Sequence, residues 1–332
     1  AATGVWTLFS RRQEYVTLHK WFFVFIRFAL AAQMFYYGMA KVIPIQFMPP
    51  ALTTLVQPVG ALSLSTLLWV FVGASPIYQL FGGVAEIVAA VALVFPRATT
   101  LGAAVTLGDM IQVLALNMGY DFGLKQISFH YIVMALFLLA PDWRRLLNVL
   151  VLERPAPPST RVPLFRSAGA NRAAFVVQLL LGAYLLGNYT YLEGRQYSAD
   201  EGPAHPKSVL YGIWDIKRMS IDGTVTPTYE NEYDLRFRRA VFDFPNRMAF
   251  QRTDDSMTRF DASIDPDRQT LTLGKFNSRT WSSTLNYQRP TPETLVLEGP
   301  FDGHQVRIEM EQVGLDTFPL VSSPFRLVRP PD

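Results

Sequence analysis

Residues 21–44, WFFVFIRFALAAQMFYYGMAKVIP, decide how this chain is read. At ~1.5 Å rise per residue the stretch crosses a ~30 Å hydrocarbon layer as one helix. It nevertheless carries Arg27 inside the apolar run and Lys41 near the far end. Charges at that depth are costly and face a protein interior, so the helix is expected to pack against partners that neutralise it. Acids at matching depth on other spans are the natural partners.

Composition narrows the class. Half of the 332 residues are hydrophobic and only 17% are charged. Such a chain is expected to join a membrane part to a soluble part. The formal charge of +3 is small, and the basic residues do not interleave with aromatics on one face, which argues against nucleic acid as a partner. With no Cys, the chain itself offers no disulfide exchange, no Cys-ligated cluster and no covalently attached haem. His19, His130, His205 and His304 fall in separate segments without ligand spacing, so no His-built metal site is expected. No Gly-rich phosphate loop or nucleophile elbow is present. The opening AATGVWTLFSRRQEYVTLHK lacks signal-peptide order, so the first helix is expected to insert as an anchor unless a leader was removed upstream.

Hydropathy predicts five spans, at 21–43, 77–95, 99–118, 124–141 and 173–191. The fourth is the weakest, being short and containing His130. The charge-free stretch between the first two contains an apolar segment at 62–72, too short to span and read as a re-entrant or interfacial helix. Arg11, Arg12 and Lys20 precede the first span, Arg97 lies in the turn after the second, and six Arg against two acids follow the fourth within 141–172. Five spans put all three basic segments on one side. The positive-inside rule then places residues 1–20 in the cytoplasm and everything after Tyr191 outside, as for a multi-pass protein of a bacterial inner membrane with a periplasmic domain. The Pro- and Arg-rich segment 148–172 reads as a cytoplasmic linker, preceded by a surface helix whose Arg144 and Arg145 face anionic lipid.

Beyond about residue 205 the period changes. Runs such as LYGIWDIKRM, RMAFQRT, QTLTLGKF and HQVRIEMEQV are short and partly alternating, punctuated by Asp222-Gly223, Asp265-Pro266-Asp267 and Asp302-Gly303. About eight strands in ~120 residues predict an up-and-down barrel over 205–332. The fold class is thus a membrane all-α bundle followed by an all-β domain.

Two groups of residues are candidate sites. Arg27, Tyr37, Lys41, Glu86, Asp109, Gln112 and His130 fall at intramembrane depth, where a polar cavity open to the outside could meet a small headgroup or a proton. The same residues could instead form a self-compensating ion-pair network that fixes the bundle. In the barrel, Trp214 on the first strand and Arg307 on the last could form an apolar–cationic plug, or be an ordinary core Trp and a surface Arg.

The segments RFALAAQMFYYGMAKVIP, GGVAEIVAAVALVFPRATTLGAAV and YDFGLKQISFHYIVMALFLLAPDWRRL resemble the DoxX-like membrane family across residues 21–147. The likeness rests on Gly38 and Lys41, on Glu86 and on the short Arg97 turn. It implies a compact four-helix core, which makes the fifth span an addition carrying the outer domain. Some members resemble the small membrane subunit of thiosulfate:quinone oxidoreductase, which implies a redox-associated role. The missing cysteines and the added β domain depart from that pattern and argue against sulfur chemistry by this chain. The strand at Gly212 and Trp214 resembles the opening of lipocalin-like barrels. The expected function is an accessory subunit of a larger electron-transfer complex of the lipid bilayer, without catalysis of its own, whose outer domain docks a partner or a lipophilic ligand. A quinone-linked subunit moving protons through its buried acids, and a lipid or isoprenoid binder, are the alternatives. Bound quinone or lipid, and nothing covalent, is the expected cofactor.

Overall fold

The computed structural model describes residues 15–158, 162–201, 206–225, 236–275 and 278–322. Arg11, Arg12 and His205, used in the reading above, lie outside the described residues. The chain divides into two compact units, residues 1–47 with 75–197, and residues 48–74 with 198–332.

The first unit is helical. Helix α1 runs Val16–Val42, α4 Pro76–Val94, α5 Thr99–Gly119, α6 Lys125–Leu139, α7 Trp143–Leu150 and α8 Ala168–Gln196. In the segment assigned to the second unit, α2 is Leu52–Leu55 and α3 Leu64–Gly73. Starts follow from caps: the Ser75 hydroxyl accepts from the Tyr78 amide with Pro76 in the first turn, and Ser167 accepts from Ala170. Four helices, α1, α4, α5 and α8, are long and apolar enough to cross a membrane. Phe25, Phe81, Leu101, Phe129 and Leu180 point outward and are more than half exposed, as lipid-facing side chains would be. Inside lie Leu30, Ala31, Met34, Phe35, Ala90, Leu93 and Leu138.

Helices α1 and α4 cross backbone to backbone. A Cβ at Gly83 would lie 2.8 Å from the Gly38 carbonyl oxygen and 2.8 Å from Lys41 Cβ, so only glycine allows this approach. The weakest expected span, α6, has only fifteen residues. It is clamped to α5 at both ends. Asn117 donates to Ser128 Oγ at 2.8 Å, and at the other end Thr100 donates to Asp142 at 2.7 Å. With the 3₁₀ turn Ala140–Asp142, α6 therefore runs alongside nearly the whole of α5.

The second unit is built on a closed antiparallel barrel. Its strands are β1 Gly212–Ile221, β2 Thr224–Val225, β3 Phe237–Phe244, β4 Arg247–Arg252, β5 Met257–Asp265, β6 Thr270–Lys275, β7 Ser278–Thr291, β8 Thr294–Phe301 and β9 His304–Val313. The strands run β1-β3-β4-β5-β6-β7-β8-β9, with β1 pairing back to β9; the two-residue β2 extends β1 alone. Among the described residues eight strands close the ring, and no long edge stays open. Strand β5 turns Arg259, Asp261 and Ser263 to the outside of the barrel. Phe260 and Ala262 on its other face are buried. At the turns Asp222-Gly223 and Asp302-Gly303 both residues have positive φ, as a type I′ hairpin requires. Trp214, Phe242, Phe250, Phe260, Leu271, Leu285 and Ile308 fill the interior, each at most 1% exposed. Phe237 stacks on Phe250 with ring centroids 4.3 Å apart. An eight-stranded barrel is just wide enough for such filling.

Candidate functional site

Lys41 ends the inner face of α1, one turn beyond Gly38, and the glycine crossing brings it down onto α4. Its Nζ donates to both Glu86 oxygens at 2.7 Å each, with Lys41 13% and Glu86 1% exposed. A charge pair this deep must be well hydrogen-bonded to offset desolvation, and the two-oxygen geometry meets that need. From α5, the half-buried Asp109 places its carboxyl within hydrogen-bonding reach of Glu86. Asp109 Oδ2 is buried with no donor facing it. The Lys41 ammonium also lies 5.6 Å from the centre of the Tyr37 ring. Tyr37 sits against Tyr131 of α6, whose hydroxyl donates to Gln33 Oε1 at 2.8 Å. Four of the seven intramembrane candidates, Tyr37, Lys41, Glu86 and Asp109, thus form one cluster.

The other three stand elsewhere. Arg27 is 3% exposed and donates to Thr99 Oγ1 at 3.5 Å and to Gln178 Oε1, joining α1 to α5 and α8. Fourteen residues along α1 separate it from Lys41, ~21 Å of helix, so the two cations do not share a cavity. Gln112 lies on the exposed face of α5 and donates to the Tyr78 hydroxyl at 3.2 Å. His130 is exposed, and its Nδ1 bonds the Gln126 carbonyl one turn back at 2.6 Å. A side chain bonded four residues back on the exposed stripe of its helix satisfies itself locally and does not turn inward. The expected single pocket is therefore two separate sites plus two peripheral residues.

In the barrel, Trp214 and Arg307 form no plug, and the alternative of a core Trp and a surface Arg is the one found. The guanidinium over the Trp214 ring belongs to Arg289, 5.4 Å from the ring centre. Arg307 alternates with the inward Val306 and Ile308, so it points out and pairs with Glu298 at 2.7 Å and Glu309 at 3.1 Å. Trp214 is buried, and its indole donates to the Leu210 carbonyl at 2.9 Å.

One polar constellation has no counterpart in the sequence reading. Gln251 of β4 is fully buried; its Nε2 donates to the Val56 carbonyl at 2.7 Å and to Asp255 at 3.0 Å. Arg239 donates to Gln251 Oε1 at 3.3 Å and to Asp215 at 2.7 Å. Nearby, the Leu52 amide opening α2 donates to Asp243 at 2.9 Å. Leu52 and Val56 pack against Ile213 and Val241 of the barrel wall. The charge-free stretch that follows α1 is thus fastened at 52–56, ahead of the apolar segment 62–72, to the outside of the barrel. The sequence clue is thin: Val241 breaks the apolar–polar alternation of β3 between Ala240 and Phe242.

Over 127 residues, 38% of this chain and 80% of its relative, the sequence is 35% identical to the uncharacterized protein YwoB of Bacillus subtilis (strain 168). No family model matches the chain, and no solved structure gives a significant match.

Proposed function

Because the chain belongs to the same family as the Bacillus protein YwoB, whose role is itself open, we propose from its own residues that it is an accessory integral membrane subunit of a larger complex. The observation that carries this reading is that both candidate interiors are already occupied by the chain's own groups. Lys41 and Glu86 satisfy each other, and aromatic and aliphatic side chains fill the barrel. The surface left for recognition is the barrel's charged exterior, with ion pairs such as Arg238–Asp255, Lys217–Glu311 and Arg307–Glu298. A packed interior favours docking of a protein partner over holding a lipophilic ligand. The lipocalin-like likeness then concerns only the barrel's architecture.

Topology supports the same reading. The segment 52–56 follows α1 and bonds the barrel that follows α8, so both lie on one side of the bilayer. An even number of crossings must separate them. Helices α4, α5 and α8 are three, so α6 is the fourth, and α1 brings the total to five. That count agrees with the DoxX-like core plus one added helix that the resemblance implies, and the positive-inside rule supports a basic linker inside and a barrel outside. What supports placing the larger complex in membrane electron transfer is the DoxX-like resemblance of residues 21–147.

A second reading, a quinone-linked subunit passing protons through buried acids, is favoured by the adjacency of Glu86 and Asp109. Isolation in mild detergent tests the first reading. A defined assembly of fixed stoichiometry, with quinol oxidation or reduction migrating with it, is expected. A lone protomer at every detergent strength would refute it. Quinone turnover by that lone protomer would favour the second reading.

A further inference from the structure

We propose that Glu86 and Asp109 hold one proton between their carboxyl groups, and that this shared proton makes the buried cluster electrically neutral. The inference deepens the second reading and rests on the same two acids. Its failure would leave the accessory-subunit reading standing.

The argument is one of donors and charge. An ionised carboxylate only accepts hydrogen bonds. Glu86 receives Lys41 Nζ on both oxygens at 2.7 Å and is 1% exposed. Asp109 approaches within hydrogen-bonding reach of that same carboxyl, and its Oδ2 is buried without a donor. Two ionised carboxylates could not sit so close in a site screened from water, because their repulsion in a low dielectric is large. A proton on one of them supplies the missing donor and turns repulsion into a short charge-assisted bond. It also completes the charge: one ammonium cannot cancel two carboxylates, but it does cancel two that share a proton.

A metal cation is a poor substitute. Among the described residues no group of three or more His, Cys, Asp and Glu side chains could hold one, and Lys41 already occupies both Glu86 oxygens. The polar groups around the pair are suited to passing a proton. Tyr37 and Tyr131 lie on the α1 and α6 side of Lys41, and Tyr131 continues to Gln33. On α4, Gln79 lies one heptad from Glu86 and so on the same face; it is 2% exposed and its Nε2 has no acceptor. The cluster is therefore a proton-binding site within the helical unit, with Glu86 and Asp109 as the two holders and Lys41 as the fixed counter-charge.

Infrared spectroscopy of the full chain in lipid nanodiscs tests this. The unmutated protein is expected to show a protonated-carboxyl carbonyl band that shifts in heavy water. Asp109→Asn should lose that component and stay folded, since its amide can donate to Glu86 while Lys41 and Glu86 remain paired. Labelling Asp carboxyl carbons with ¹³C in the unmutated chain should displace the same component, which keeps the test valid if the variant misfolds. A spectrum without such a band overturns the proposal, as does a band that persists unchanged in Asp109→Asn or, where that variant misfolds, one that ignores the ¹³C label.

Discussion

Replacing Lys41 by Met keeps the length of the side chain and removes its charge, leaving Glu86 and Asp109 buried without a cation. An exposed ion pair would be worth ~0–1 kcal/mol. This pair is not exposed: Glu86 is 1% accessible and Lys41 13%, with both oxygens engaged at 2.7 Å. Breaking a buried pair from one side costs ~3–5 kcal/mol, because the remaining charge has lost its counter-ion. That corresponds to a ~100- to 1,000-fold or greater fall in the ratio of folded to unfolded protein. Glu86→Gln should cost less than Lys41→Met, because Asp109 of the same cluster remains to face the Lys41 ammonium. The double variant still leaves Asp109 buried without a cation, so its cost should fall short of the sum of the two single costs by a coupling of about 2 kcal/mol. Unfolding of the purified chain in mixed micelles, titrated with a denaturing detergent and followed by tryptophan fluorescence, measures all four corners. Single variants each costing less than ~1 kcal/mol, with no coupling, would refute the view that this pair holds α1 against α4.

Gly83→Ala should destabilise the helical unit by ~1–3 kcal/mol, since its Cβ meets the Gly38 carbonyl at 2.8 Å and backbone cannot swing aside. Gly108→Ala, with open space at its Cβ, is the control and should be neutral in the same assay. Gln251→Ala strands the Val56 carbonyl and should cost ~1–3 kcal/mol, read as faster hydrogen exchange at 52–56 while the β4–β5 amides stay protected. At the β1–β2 turn, hydrogen bonds from His304 and from the Gln305 amide hold the Asp222 carboxyl below its ordinary value. A depressed carboxyl stabilises the fold above its unfolded value of ~3.9, and that stability is lost as pH falls through the lower folded value. Protection of the Gln305 amide, relative to an unstructured amide at the same pH, should therefore fall on acidification through that window, and Asp222→Asn should abolish the dependence. Finally, single cysteines in the barrel exterior and in 148–158 should label from opposite faces of sealed vesicles; labelling of both from one face would remove the five-crossing topology.

Local chemistry was enough to read much of this molecule from the sequence. The helices follow from long apolar runs, with Ser75, Ser167 and the Pro96–Arg97 turn marking their limits, because span length and caps depend only on neighbours in the chain. The barrel follows from alternation and from Asp-Gly turns that need positive φ. That the buried cations need intramembrane acids such as Glu86 and Asp109 was legible, because unpaired charge is costly in an apolar environment; which acid meets Lys41 was not. Helix rotation was not legible. Which residues of the packed helices face inward depends on crossing points such as Gly38 over Gly83, and those put Asp109 beside Glu86 while turning His130 and Gln112 out. Barrel closure likewise decided that Arg289 and not Arg307 covers Trp214, since inward and outward positions swap with a one-residue change of register. The docking of 52–56 on the barrel joins segments nearly two hundred residues apart through Asp243 and Gln251, a pairing that no local pattern encodes.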